Sequence, residues 1–375
     1  MRLILTGGGT AGHVYPALSV AESLSHSESA GQDTQPLALH QLLYVGSENG
    51  LERALVQRSG LDFSGLSVSG GVRGMGLAAV RNAASLVRAF FQSLGVIRQY
   101  HPGAILATGG YVCTPVVLAG WFLRVPALVY LPDMEPGWAV RFLAPFARRV
   151  AVTVPDATRF FSPRKAVVTG YPVRAELVSA DRQAGRAFFG VGPAEKVILV
   201  AGGSRGAQHI NQLIAEALPA LLQEATIIHV CGQSHLADAS ARQAVLPPDL
   251  KTRYKLYAYL HEMPLALVAA DLAISRAGAS VLGEYPVAAL PSILIPYAGG
   301  HRDQVRNAAY LAQNGAAVVL PDQEISTEML ASTVKALLRD PARLPAMAQA
   351  ARALARPDAA GDLARELTRL AGSGE

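Results

Sequence analysis

Five short stretches of this sequence hold residue types that can do chemistry, and each follows an apolar run. The first is Gly7-Gly8-Gly9-Thr10-Ala11-Gly12-His13, after Leu3 to Thr6. The second is Gly202-Gly203-Ser204-Arg205-Gly206, after Val197 to Val200. Glycines in such a place let backbone N–H groups close on a phosphate, and a helix starting there adds roughly half a positive charge. The plainer reading of either loop alone is a tight turn. The first loop also fits G-x-G-x-x-G, which would suit NAD or FAD. That site wants an acid about 20 residues further on. The nearest at a strand end, Glu48, is further away, and a lone dinucleotide site leaves the second loop unexplained.

His13 stands where the first loop meets a helical pattern. It could serve as a general base, a phosphate ligand, or a capping and packing residue. The third stretch runs from Ser275 through Arg276-Ala277-Gly278-Ala279-Ser280-Val281-Leu282-Gly283 to Glu284. Its carboxylate, in apolar surroundings, can accept hydrogen bonds from both hydroxyls of a ribose; a solvated helix glutamate is the bland alternative. The fourth is Pro296 to Gln304, with His301-Arg302-Asp303-Gln304 opening a helix. The fifth is Ala107-Thr108-Gly109-Gly110-Tyr111, another strand-to-glycine turn.

These stretches need elements to position them. Short apolar runs alternate with helical patterns along all 375 residues. Continuous apolar strands between helices mean parallel sheets covered on both faces, the doubly wound α/β class. The glycine loops at 7–13 and 202–206 each follow a strand and precede a helix, an internal repeat that predicts two similar domains. The length agrees. The boundary is expected near Tyr171 to Arg174: residues 1–171 and 357–375 in one domain, 172–356 in the other. Ser25 to Leu37 reads as a surface loop and Pro357 to Leu370 as an amphipathic helix. The composition is 51% hydrophobic and 16% charged, with a net charge of +5 spread along the chain. That mild charge suits an anionic substrate or membrane surface and predicts no nucleic-acid partner. Cys113 and Cys231 make no disulfide framework, which fits a reducing compartment. Arg124, Pro115, Gly120 and Pro126 interrupt the longest apolar stretch, Tyr111 to Pro132, so no membrane span is expected.

Taken in order, these pieces resemble the MurG family within glycosyltransferase family 28, the UDP-N-acetylglucosamine transferases that make lipid II from lipid I in peptidoglycan synthesis. The matching residues are Thr6 to His13, Gly109-Gly110-Tyr111-Val112, Gly170-Tyr171-Pro172-Val173-Arg174, Gly202 to Ala207, Arg276 to Ala279 with Glu284, Gln304 through Asn307-Ala308, and Pro357-Asp358-Ala359-Ala360. The resemblance covers nearly the whole chain. It implies the GT-B fold, two Rossmann-like domains with an interdomain cleft. It implies UDP-N-acetylglucosamine as donor, no further cofactor and no metal. By position, Arg174 and Ser204 would bind the diphosphate and Leu260 the uracil. Ala279, Ser280, Val281, Leu282, Gly283 and Glu284 would line the nucleotide, with Glu284 on the ribose. Gln304 and Asp303 would contact the sugar. Thr10, Ala11, Gly12 and His13 would face sugar and acceptor, and Gly9, Gly109, Gly110 and Tyr111 would complete the acceptor side. The family's His-Glu-Gln-Asn run is here Leu131-Pro132-Asp133-Met134-Glu135-Pro136-Gly137, with Asp133 in the asparagine's place. Two carboxylates beside a diphosphate need pairing, or supply a general base. The candidate bases are His13, then Asp133 and Glu135.

The implied reaction is an inverting displacement at the anomeric carbon, with leaving charge stabilised by backbone N–H groups at Gly203 to Gly206, Ser204 and Arg174. A polyprenyl-diphosphate acceptor would place the enzyme peripherally at the cytoplasmic face of the cell membrane. Leu86, Val87, Phe90, Phe91, Leu94 and Ile97, interleaved with Arg73, Arg81, Arg88 and Arg98, would form the docking patch or else an ordinary core-facing helix. The rival readings are a diacylglycerol-glycosylating relative, a dinucleotide-dependent oxidoreductase, a UDP-sugar epimerase, and a nucleotide-sugar sensor without turnover.

Overall fold

The computed structural model describes residues 1–26, 41–68, 77–203, 206–297, 299 and 302–372. Most of the expected 25–37 loop, with Arg73, Ser204, Arg205 and His301, lies outside the described residues, as do the side chains of Ala11, Arg81 and Arg302. The chain divides into two compact units, Met1–Arg174 with Arg356–Glu375, and Ala175–Ala355. Arg174, which sequence reading gave to the second domain, is held in the first by Tyr15, its guanidinium 5.6 Å from that ring's centroid.

The first unit has seven parallel strands: β1 (Leu3–Thr6), β2 (Leu42–Ser47), β3 (Asp62–Leu66), β4 (Ala104–Ala107), β5 (Ala127–Leu131), β6 (Arg149–Val152) and β7 (Ala166–Val168). Their order is β3-β2-β1-β4-β5-β6-β7. The second has six: β8 (Val197–Ala201), β9 (Thr226–Val230), β10 (Tyr254–Tyr257), β11 (Leu272–Ser275), β12 (Ser292–Leu294) and β13 (Ala317–Val319), ordered β10-β9-β8-β11-β12-β13. Each sheet reverses its winding beside its first strand, between β1 and β4 and between β8 and β11. Ligands of doubly wound sheets enter at the carboxyl ends of such strand pairs. The four glycine-bearing loops after these strands are therefore brought together in twos.

Strands β1, β4 and β5 are buried along their whole length, which is why they read as unbroken apolar runs. The sequence reading missed β3. It is an edge strand paired to β2 alone, and only Leu66 of Asp-Phe-Ser-Gly-Leu is buried. Helices fill the faces by helical spacing. In the helix Gln208–Glu224, Ile210, Leu213, Ile214, Ala217, Leu218, Leu221 and Leu222 are buried, packing with Ile198, Val200 and Ile227. In the last helix, Ala359–Gly372, Leu363, Leu367 and Leu370 join Ala17, Val20 and Leu24 of the first unit's core. Burying each such leucine is worth about 1.5–3 kcal/mol.

The helix Leu77–Tyr100 corrects the expected docking patch. Leu94 and Ile97 are buried and face the core, whereas Val87 and Phe91 are 57% and 64% exposed. One helix thus has a core-facing side and a side with exposed apolar residues.

Candidate functional site

In the first unit, Thr6 of β1 and Ala107 of β4 lie in register, so their loops run side by side. The Gly8 N–H donates to Gly109 O at 3.1 Å. Gly110 has φ +87°, and a Cβ there would stand 2.2 Å from Gly8 O, so only glycine fits. The buried Thr108 hydroxyl, shared between His13 O at 2.6 Å and Thr6 O at 3.2 Å, ties the second loop to the helix that follows the first. The Tyr44 hydroxyl donates to Gly7 O at 3.0 Å, and burial pushes that phenol well above its ordinary range, keeping it a donor. Burial also raises the Cys113 thiol to about 12; it donates to Gly109 O at 3.0 Å and is no nucleophile.

This scaffold fixes His13. Its Nδ1 lies 3.1 Å from Gly8 O. A carbonyl only accepts, so Nδ1 carries a proton, and the tautomer this selects has its lone pair at Nε2. Thr10 Oγ1 stands 3.4 Å from the same Nδ1. The ring borders Gly109, whose Cβ position would be 3.1 Å from Nε2, while Gly9, at φ +84°, adjoins the Tyr111 ring. Thr10, Gly12, His13, Gly9, Gly109, Gly110 and Tyr111 are thus one cluster. The helix Ala11–Ser25 starts without a side-chain cap or a first-turn acid. Its Pro16 has no N–H for the Gly12 carbonyl.

Asp133 and Glu135 follow β5, next to β4 on the same sheet edge, and are half-buried around buried Met134. Their segment is pinned at both ends. The Thr153 hydroxyl donates to Pro132 O at 2.9 Å, and Arg141 Nε to Pro136 O at 2.8 Å. Both acids have polar partners.

In the second unit, Ala201 of β8 lies opposite Ser275 of β11. Gly206, at φ +77°, crosses β9's end so closely that a Cβ would be 2.1 Å from Cys231 O. The Gly206 N–H donates to Gly203 O at 2.9 Å, which removes it from the expected phosphate cradle. What remains for an anion is the first turn of the helix Gln208–Glu224, which has Ala207 as N-cap, no side-chain cap and no acid. A cavity of about 490 Å³ opens there, lined by Gly206, Gln208, His209, Arg276, Tyr297 and Asp322.

The loop after β11 is well held. Buried Asn307 donates to Ala277 O at 3.1 Å, and the Tyr285 hydroxyl to Ser275 Oγ at 2.7 Å. Ala279–Leu282 form one 3₁₀ turn, and Glu284 opens the short helix Glu284–Val287. Ala279, Ser280 and Glu284 are half-buried, whereas Val281, Leu282 and Gly283 are buried. Gln304 accepts the Tyr297 N–H at Oε1, 2.9 Å, which leaves its amide NH₂ as a donor. Asp303 is half-buried beside it. Leu260, 5% exposed, follows β10, farther along the sheet. Arg174 meets Tyr15 of the helix that follows the first glycine loop. Sequence reading also missed His209, Tyr297 and Asp322. Arg276 had a legible signal, a cation at a strand end just before glycine. The others had none, because they meet only through sheet order.

Residues 3–152 match the glycosyltransferase family 28 N-terminal domain and residues 197–363 the family's C-terminal domain. A relative from Roseiflexus sp. (strain RS-1) is 44% identical over 97% of this chain and 94% of its own. It is named UDP-N-acetylglucosamine--N-acetylmuramyl-(pentapeptide) pyrophosphoryl-undecaprenol N-acetylglucosamine transferase. The crystal structure of Acinetobacter baumannii MurG is similar, with a TM-score of 0.75 at 27% identity, covering 98% of this chain and 99% of that one. Staphylococcus aureus MnaA, solved with UDP, has a TM-score of 0.67 over 96% and 94% of the chains, but 13% identity, a likeness of fold alone. The chain belongs to glycosyltransferase family 28, with the GT-B fold of two Rossmann-like units, and is a UDP-sugar-dependent glycosyltransferase.

Proposed function

We propose that this chain transfers N-acetylglucosamine from UDP-N-acetylglucosamine to lipid I, forming lipid II in peptidoglycan synthesis. The donor is the only small molecule required besides the acceptor. The observation that carries the reading is the second unit's switch point, where an uncapped helix N-terminus and Arg276 line one cavity with Tyr297, whose N–H Gln304 accepts. That set suits a diphosphate with a sugar attached.

In the reaction, the acceptor hydroxyl attacks the anomeric carbon, the bond to the diphosphate oxygen breaks, and configuration inverts. His13 Nε2 takes the hydroxyl proton, since the Gly8 carbonyl holds the other ring nitrogen protonated. The helix N-terminus and Arg276, with Ser204 and Arg174, meet the charge growing on the diphosphate. Glu284 holds the ribose and Gln304 the sugar. Asp133 and Glu135 shape the acceptor side.

A membrane-borne acceptor requires docking at the cytoplasmic membrane face. Seven aromatic rings fall in two contact groups, Trp138, Phe142, Phe146 and Trp121 in one and Phe122, Phe90 and Phe91 in the other, with Trp121 and Phe122 adjacent on the helix Cys113–Phe122. Trp121 and Trp138 are 57% and 73% exposed. A cavity of about 820 Å³ beside them is lined by Arg124, Arg148, Arg149, Arg164, Lys165 and Arg369. Aromatics bordered by cations suit an anionic lipid surface.

The test is radiolabelled transfer from UDP-N-acetylglucosamine, with lipid I and diacylglycerol offered separately. Label in lipid I alone is the expected result. Label in diacylglycerol alone assigns the related acceptor class instead. Nucleotide binding without transfer to either leaves a sensor.

A further inference from the structure

We propose that Asp322 is a positioning residue for the donor's diphosphate, acting through Arg276, with His209 as second donor on the same carboxylate oxygen. The proposal rests on the donor reading above. Asp322 follows β13, Arg276 follows β11, and His209 lies in the first turn of the helix after the second glycine loop. Asp322 Oδ1 stands 2.6 Å from Arg276 Nη1 and 2.9 Å from His209 Nδ1. Arg276 and Asp322 side chains are each 11% exposed. Burial pushes the Asp322 carboxyl up, but the hydrogen bonds from Arg276 and His209 outweigh it and hold the group below the ordinary range. The carboxylate is therefore an ionised anchor at neutral pH.

The anchor acts on direction. Arg276 Nη1 also donates to Ile295 O at 3.0 Å, and the guanidinium lies 5.4 Å from the Tyr297 ring centroid. Tyr297 is itself fixed by Gln304. Nη1 thus lies between the Asp322 carboxylate and the Ile295 carbonyl. Nη2 and Nε have no partner among the described residues, and the cavity at the helix N-terminus is lined by this side chain. A planar fork held at one nitrogen presents its other N–H groups in a fixed geometry, which matches phosphate oxygens.

Charge and orientation predict opposite signs, which makes the test decisive. Asp322→Asn adds one net positive charge beside the cavity, so simple attraction would tighten UDP. Loss of orientation weakens it. The experiment measures UDP and uridine affinity by ligand-displacement NMR on the full chain at fixed salt, with KM for UDP-N-acetylglucosamine. The expected result for Asp322→Asn is about ten-fold weaker UDP, a KM that rises with it, and unchanged uridine. Asp322→Glu restores part of the loss, and adding Asp322→Asn to Arg276→Lys brings no further loss. Unchanged or tighter UDP in Asp322→Asn overturns the proposal, and so does uridine weakened as much as UDP, which marks a merely structural role. Failure of the unmodified chain to bind UDP removes the donor reading itself.

Discussion

At the residue scale, His13 and Glu284 carry the sharpest claims. The Gly8 carbonyl decides the His13 tautomer, because it can only accept. His13→Ala removes the proton acceptor and leaves the loops' backbone contacts in place. It is expected to lower kcat by about 10²–10⁴-fold, the usual range for a general base, with KM for the donor nearly unchanged. Steady-state kinetics with saturating acceptor checks it, and a kcat within a few-fold of the parent would move the base to Asp133 or Glu135. Glu284→Ala removes a charge-assisted acceptor, worth about 1.5–3 kcal/mol when buried. UDP affinity is expected to drop roughly ten-fold or more while thermal stability holds, since Glu284 opens a helix of only four residues. Calorimetric titration that returns the parent affinity refutes the ribose role. Both residues were legible because each stands directly at a strand-to-helix junction. Asp322 was not, because 46 residues separate it from Arg276 and only the β11-β12-β13 order unites them.

At the element scale, the strand β9 and the helix Gln208–Glu224 are joined by one buried polar network. His229 is 1% exposed; its Nδ1 lies 2.7 Å from the Tyr254 hydroxyl and its Nε2 3.0 Å from Asn211 Oδ1. Asn211 Nδ2 donates to Cys231 O at 2.8 Å, the carbonyl that Gly206 crosses. The network thus supports the floor of the second glycine loop. Burial lowers the His229 pKa from its ordinary 6.5 to about 4. Above pH 6.5 the ring is neutral folded or unfolded, and it adds no pH dependence. Between 6.5 and 4 the unfolded chain binds a proton that the folded one refuses, so stability falls as pH falls. The loss levels off near pH 4 at on the order of 3 kcal/mol. Urea unfolding at pH 7, 5.5 and 4.5, compared with His229→Gln, measures it. Equal pH slopes in the two proteins would show that His229 is not the cause. The buried β-strands of both sheets were readable as apolar runs, whereas β3 and the split faces of Leu77–Tyr100 were not. An edge strand needs only one apolar residue, and a helix's apolar positions do not reveal which neighbour covers them.

At the scale of the whole molecule, a chain acting on a lipid must reach it without a span, since no described helix is long and apolar enough to cross a membrane. The seven-ring surface and the basic cavity beside it offer two separable forces. Exposed Trp121 and Trp138 contribute apolar area, up to about 1.5–3 kcal/mol for each side chain fully withdrawn from water. The arginines contribute attraction that salt screens within about 10 Å at 0.1 M. Trp121→Ala with Trp138→Ala is therefore expected to reduce binding to anionic vesicles at least about ten-fold at all salt concentrations. Replacing Arg148 and Arg164 by Gln should weaken binding at low salt and matter little at high salt. Vesicle co-sedimentation with phosphatidylglycerol and with phosphatidylcholine separates the two. A water-soluble acceptor analogue supplies the control, because turnover on it should survive both sets of substitutions. Losing that turnover as well would mean that these residues support the fold. Unchanged co-sedimentation would place the docking face elsewhere on the molecule.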